Sequence, residues 1–164
     1  MTYRYRLSRD LEPDLFAARG PRAIGWIMLN PSTADDVEDD NTIRRLRSFS
    51  AREGASRLLV RNVFAYRATD PGDLKAAALA DIDVVGPENL AAIAELDSEA
   101  GLIVVAWGDN VCDRALRRRA RPVLEAIAGL SAPKVALGFS KGRGQPLHPL
   151  YQPGDAQLVP WPRS

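Results

Sequence analysis

The chain has 164 residues, with 22 Lys and Arg against 21 Asp and Glu, one His and one Cys. That length suits one domain, and 26% charged with 46% apolar residues excludes disordered, collagen-like and repeat-array classes. A net charge of +1 excludes a polycation, so any affinity for nucleic acid has to come from a local patch. Cys112 alone cannot form an intrachain disulfide, and one Cys with one His builds no zinc cluster, which points to a reducing, cytoplasmic interior. No run approaches the roughly 18 apolar residues of a membrane span, and residues 1–10 lead into no secretory core.

In chain order, residues 3–7 alternate and predict an edge strand. Residues 23–29 (AIGWIML) are apolar at nearly every position, the pattern of a strand buried on both faces. That run stops at Asn30-Pro31. After the acidic loop 35–40, an Asp or Asn cap precedes 42–52, where Ile43, Leu46 and Phe49 fall at helical spacing and Gly54 closes the segment. Residues 57–63 (RLLVRNV) predict the next strand. The connection 64–100 holds the turn Thr69-Asp70-Pro71-Gly72 and two helices, near 73–79 and 87–96. Residues 102–107 (LIVVAW) predict the clearest buried strand, ended by Gly108. A helix over 111–130 presents Leu116, Val123, Leu124 and Ile127 on one face and is kinked or divided by Pro122. Residues 134–139 predict the last core strand, and 158–161 a short edge strand. The alternation predicts a single α/β domain over 1–164: a three-layer α/β/α sandwich around a central, mainly parallel sheet of about four core strands.

Ligands in such sheets sit beyond the carboxyl ends of the strands. Four segments fall there: Asn30 to Thr33, Asn62 to Arg67, Trp107 to Asn110, and the glycine-containing loop through His148 to Tyr151. Side-chain amides both donate and accept, which suits the edge of a nucleobase, and Phe64 or Tyr66 offers a stacking face. Ser32, Thr33, Arg67, Lys141 and the arginines Arg117 and Arg118 are candidates for phosphate or backbone contacts. Each has a structural alternative. Asn-Pro commonly ends a strand, Asn62 suits a turn, Phe64 and Tyr66 suit the core, His148 can be a satisfied structural imidazole, and residues 114–121 read as a solvated arginine face. The acidic loop serves spacing and capping better than a metal. No Gly-Lys-Ser/Thr ends a phosphate loop, no Gly-x-Ser-x-Gly marks a hydrolase elbow, and no Gly-x-Gly-x-x-Gly follows the first core strand, so no cofactor is called for.

The motifs LNPSTAD (29–35), NVFAYRATDP (62–71), AWG (106–108) and HPLY (148–151) resemble a bacterial family named only as domain of unknown function 1643, across nearly the whole chain. In order and context they also resemble, more distantly, the uracil-DNA glycosylase superfamily. That resemblance implies the same α/β fold and roles residue by residue. Asn30 positions the attacking water, Asn62 reads the base edge, and His148 stabilises negative charge on the leaving base. Met28 stands where the superfamily has Gly, and Leu150 where it has Ser. Only residues 152–164 follow HPLY, little chain for supporting a duplex-penetrating loop, which directs the expectation to single-stranded or modified nucleic acid.

The expected function is therefore a glycosylase-like domain binding a nucleobase or nucleotide, with N-glycosidic bond hydrolysis as its catalytic extension. Two other readings stay open: a non-catalytic nucleotide or nucleic-acid binding module, and an enzyme acting on a small phosphorylated metabolite through Ser32, Thr33 and Lys141. The expected partner is a nucleotide or nucleic acid, not a membrane, and oligomeric state is not encoded in any motif.

Overall fold

The computed structural model describes residues 1–12, 15–16, 19–32 and 37–162. Its strands are β1 (Leu7–Asp10), β2 (Ala23–Met28), β3 (Arg57–Asn62), β4 (Leu102–Val105), β5 (Lys134–Ala136) and β6 (Val159–Pro160). They form one six-stranded sheet in the order β1-β3-β2-β4-β5-β6. The four central strands run parallel, with Met28 opposite Asn62 and Ile27 opposite Val105. Both edges are antiparallel, so the sheet is mixed.

Apolar residues cover both faces of this sheet, as the near-continuous hydrophobic runs demand. On one face Ile24, Trp26, Met28, Leu58, Val60 and Val104 pack against Ile43, Leu46 and Phe49 of helix α1 (Asn41–Arg52). On the other, Ile27, Leu59, Ile103 and Val105 pack against α2 (Pro71–Leu79), α3 (Asn89–Ala94), α4 (Leu96–Glu99) and α5 (Arg117–Ala128). Gly25 in β2 admits the close approach of α4, since a Cβ there would lie 3.1 Å from the Leu96 side chain. The caps follow the chemistry of the sequence. Asp40 accepts from the Ile43 amide at the start of α1, and Asp70 accepts from the Gly72 amide with Pro71 in the first turn of α2.

Several boundaries differ from the sequence reading for identifiable reasons. The first edge strand lies at Leu7–Asp10 rather than at 3–7, because Tyr3 and Tyr5 stack on each other and Tyr3 touches the sheet only through a bridge to Tyr66. The long helix expected over 111–130 begins at Arg117; a 3-10 turn, Asp109–Cys112, precedes it, and the Asp113 carboxylate takes the Ala115 amide. Pro122 therefore falls near the start of α5 and lies within it without dividing it. The helix expected over 87–96 is split between α3 and α4 at Glu95. Strand β5 stops at Ala136, and Gly138 follows at φ 127°, a left-handed value open to glycine.

One buried polar pair joins the sheet to α1: the Trp26 indole donates to the Ser50 hydroxyl at 2.9 Å, with both residues sealed from solvent. Ser50→Ala leaves that N–H without a partner, and the expected loss is about 1–3 kcal/mol. Urea unfolding with an unchanged slope reads it directly. A loss below about 0.5 kcal/mol, the range of neutral surface changes, would show that the bond carries no weight.

Candidate functional site

Chain connections around β2 leave on opposite faces: β2 reaches β3 through α1, whereas β3 crosses back over β2 to reach β4 through α2, α3 and α4. Such a reversal opens a crevice at the carboxyl ends of the strands that flank it. A cavity of about 540 Å³ lies there. Its lining comes from the end of β2 (Met28 to Ser32), the end of β3 (Val60, Asn62), the turn after β4 (Gly108, Asp109, Asn110), the start of α1 (Asp40, Thr42, Ile43) and the loop His148 to Tyr151.

Asn62 is the most unusual residue of the lining. It is only 4% exposed, yet its side-chain amide has no hydrogen-bond partner among the described residues. Alternation along β3 explains its direction: Leu59 and Arg61 face the α3 side, Leu58, Val60 and Asn62 the α1 side. Arg61, in contrast, is a buried structural cation, donating to the Ala92 carbonyl at 2.8 Å and to the Glu99 carboxylate at 3.2 Å.

Asn30 follows β2 and is half-buried. Its Nδ2 donates to the carbonyls of Pro31 (3.0 Å) and Ala68 (2.8 Å). Both amide hydrogens are thereby committed to backbone, which leaves Oδ1 as the atom able to accept from a ligand or water.

His148 opens a short 3-10 turn, Pro149–Tyr151, and its Nδ1 accepts from the Leu150 amide at 3.2 Å. With Nδ1 accepting, the neutral ring carries its proton on Nε2, so it presents a donor. Burial lowers the imidazole pKa from its ordinary value, and the nearby Asp40 carboxylate opposes that shift. Two arginines of α1 hold the loop. Arg45 donates to the Pro149 and Gln152 carbonyls and Arg52 to the Gly154 carbonyl at 2.8 Å, while both guanidinium groups lie over the Phe49 ring at 5.3 and 5.0 Å. A second tie runs through Gly108, whose φ of 76° bends the chain off β4 and whose amide donates to the Pro146 carbonyl. There the Trp107 indole donates to Gln145 and the Ser140 hydroxyl to Asp109 at 2.6 Å.

The cavity thus brings together Asn30, Ser32, Asn62 and His148. Ser32 is occupied, its hydroxyl 3.3 Å from the Asp40 carboxylate, and Thr33 lies outside the described residues. Phe64 is wholly buried in the core beneath α2 and cannot stack on a ligand. Tyr66 turns the other way, edge-on to Tyr3 at 6.3 Å, and lines shallow grooves with Arg67 rather than the cavity. Lys141, Arg117 and Arg118 are exposed and away from it; the two arginines sit at the start of α5, on the sheet face opposite α1.

Sequence reasoning passed over Arg4, Asp40 and Tyr151. Arg4 reaches the lining because its amide bonds the Ala65 carbonyl just past β3. Asp40 was legible as a cap but not as a wall. Tyr151, 81% exposed at the mouth with its ring 5.7 Å from that of His148, is the aromatic of this cavity. Its place in HPLY, directly after the loop histidine, was the available signal.

A family model described as protein of unknown function (DUF1643) matches residues 4–150. No curated protein and no solved structure matches the chain.

As the one histidine of the chain, His148 gives a single imidazole resonance, expected to titrate below the ordinary midpoint of about 6.5. Between the folded and unfolded midpoints the unfolded chain binds the proton more readily, so stability falls as pH drops through that window and levels off below the folded midpoint. His148→Gln removes that acid loss. A midpoint at or above the ordinary value would contradict the buried, neutral imidazole.

Proposed function

Because the chain belongs to the DUF1643 family of proteins of unknown function, its activity has to be read from its own cavity, and we propose that this cavity binds a nucleobase or nucleotide and hydrolyses its N-glycosidic bond. The unpartnered, nearly buried amide of Asn62 carries the reading. A side-chain amide matches the adjacent carbonyl and N–H of a base edge with one acceptor and one donor, and a buried amide without a protein partner is costly unless a ligand completes it.

The other lining groups fit the same chemistry. Breaking the bond between the sugar carbon and the base nitrogen puts positive charge on the sugar and negative charge on the base. The Nε2 proton of a neutral His148 stabilises the leaving base without first having to lose a charge. The pinned Asn30 offers its oxygen to orient the attacking water. It takes no proton; the water's oxygen bonds the sugar carbon, and the proton released passes through solvent to the departing base. Asp40 and Asp109 in the lining favour positive charge on the sugar. Tyr151, in place of Phe64 and Tyr66, supplies the ring for stacking, and its truncation is expected to weaken binding by about 1–3 kcal/mol.

The resemblance to uracil-DNA glycosylases draws support from the meeting of Asn30, Asn62 and His148, its three motif residues, in one cavity. Apolar cores on both faces of the sheet are also what a three-layer α/β/α sandwich of that kind requires.

The test is release of free base from single-stranded oligonucleotides carrying uracil or modified bases. His148→Ala is expected to slow release about 100- to 1000-fold, the usual effect of removing one donor to developing charge, and Asn30→Ala and Asn62→Ala to slow it as well. No release, or release untouched by all three changes, would sink hydrolysis. Binding that persists without release and is lost in Asn62→Ala would reduce the function to capture of the base.

A further inference from the structure

The α3 side of the sheet carries a second buried amide that the cavity chemistry leaves unused. Asn89, the first residue of α3, is fully buried. Its Nδ2 donates to two consecutive carbonyls, those of Asn62 and Val63, at 3.0 Å each. Its Oδ1 is buried with no hydrogen-bond partner. Such an oxygen is a standing cost, and the two donated bonds are what offset it. Both end at the exit of β3.

The topology explains why that exit needs a donor. Strand β1 pairs with β3 only from Arg57 to Val60 and stops. On the other side β2 still engages the backbone there, since the Val63 amide donates to the Met28 carbonyl. Beyond Val60 the outer edge of β3 has lost its neighbouring strand, and α3 brings the Asn89 amide to it. The peptide plane after Asn62 is therefore held from both directions, by Met28 and by Asn89. A side chain with no partner of its own takes its direction from its backbone, so whatever fixes that plane fixes where the Asn62 amide points.

We infer that Asn89 is a positioning residue: by clamping the Asn62 and Val63 carbonyls from the far face of the sheet, it aims the Asn62 amide into the cavity and so sets the affinity for a base. The inference rests on the reading of Asn62 as the group that recognises the base. It assigns to α3 a role in a site that α3 does not touch.

Two measurements on the ligand-free protein test the positioning itself. In the unsubstituted chain, scalar couplings through the hydrogen bonds are expected between the Asn89 side-chain nitrogen and the carbonyl carbons of Asn62 and Val63; their absence would overturn the clamp, whatever any variant does. In Asn89→Ser, the side-chain NH2 signal of Asn62, assigned with Asn62→Asp, is expected to shift or broaden while that of Gln152 stays in place. An unmoved Asn62 signal in folded Asn89→Ser would overturn the inference.

A double-mutant cycle then measures the consequence, using titration with a single-stranded oligonucleotide carrying one deoxyuridine. Asn89→Ser is expected to weaken binding about tenfold in the native background and not at all in Asn62→Ala. Equal losses in both backgrounds would mean Asn89 supports the fold alone. If the Asn62 signal responds to Asn89→Ser but no base binds the native protein, the positioning stands and the base reading falls.

Discussion

Strand β2 is buried along its whole length between two parallel neighbours whose connections leave over opposite faces of the sheet. That arrangement determines where the chain can bind anything. A strand buried on both faces needs helices on both, and right-handed crossovers on opposite faces must diverge where β2 ends. The gap they leave is lined by whatever follows Met28, Asn62 and Val105. In this chain those positions lead into amides, a glycine turn and an aspartate, so the polar groups of the cavity are a consequence of strand length and register.

The fourth wall comes from elsewhere in the sequence and needs its own anchor. The loop carrying His148 is held on α1 by Arg45 and Arg52, whose guanidinium groups are spent on backbone carbonyls and on the face of Phe49. This changes the meaning of the basic stretch in α1. Its arginines act as structural donors to a loop that lacks regular hydrogen bonding, while Arg47 pairs with Asp39. The near-zero net charge of the chain reflects such internal pairing, and the basic residues that looked available for a polyanion are in part already used.

Much of this was legible in the sequence because it follows from periodicity. The buried runs marked β2, β3 and β4, the helical spacing of Ile43, Leu46 and Phe49 marked the inner face of α1, and the rule of carboxyl ends selected Asn30, Asn62 and His148. What failed was any inference about side-chain direction after a strand stops. Phe64 and Tyr66 follow β3 as closely as Asn62 does, but the chain turns there under Val84 and Val85, whose carbonyls bond Tyr66 and Ala65, and the rings go to the core and to Tyr3. Arg117 and Arg118 failed for a topological reason, since only the strand order reveals which face α5 covers. The clamp from Asn89 was invisible for a similar reason: residues 62 and 89 meet only because β1 ends early.

The balance of charge in the cavity narrows what its chemistry can be. Among the described residues lining it, Arg4 is the one Lys or Arg, accompanied by Asp40 and Asp109, with His148 kept neutral by burial. A site of this kind has little with which to hold a phosphate and several groups suited to a polar, uncharged edge. The pinned Asn30 narrows it further, because an amide oxygen orients water without accepting its proton. Catalysis there depends on a leaving group able to depart with its electrons before the water is fully activated. A base that already leaves easily, through modification or through electron-poor carbonyls that His148 can engage, satisfies that condition; a base that needs strong general-base help does not.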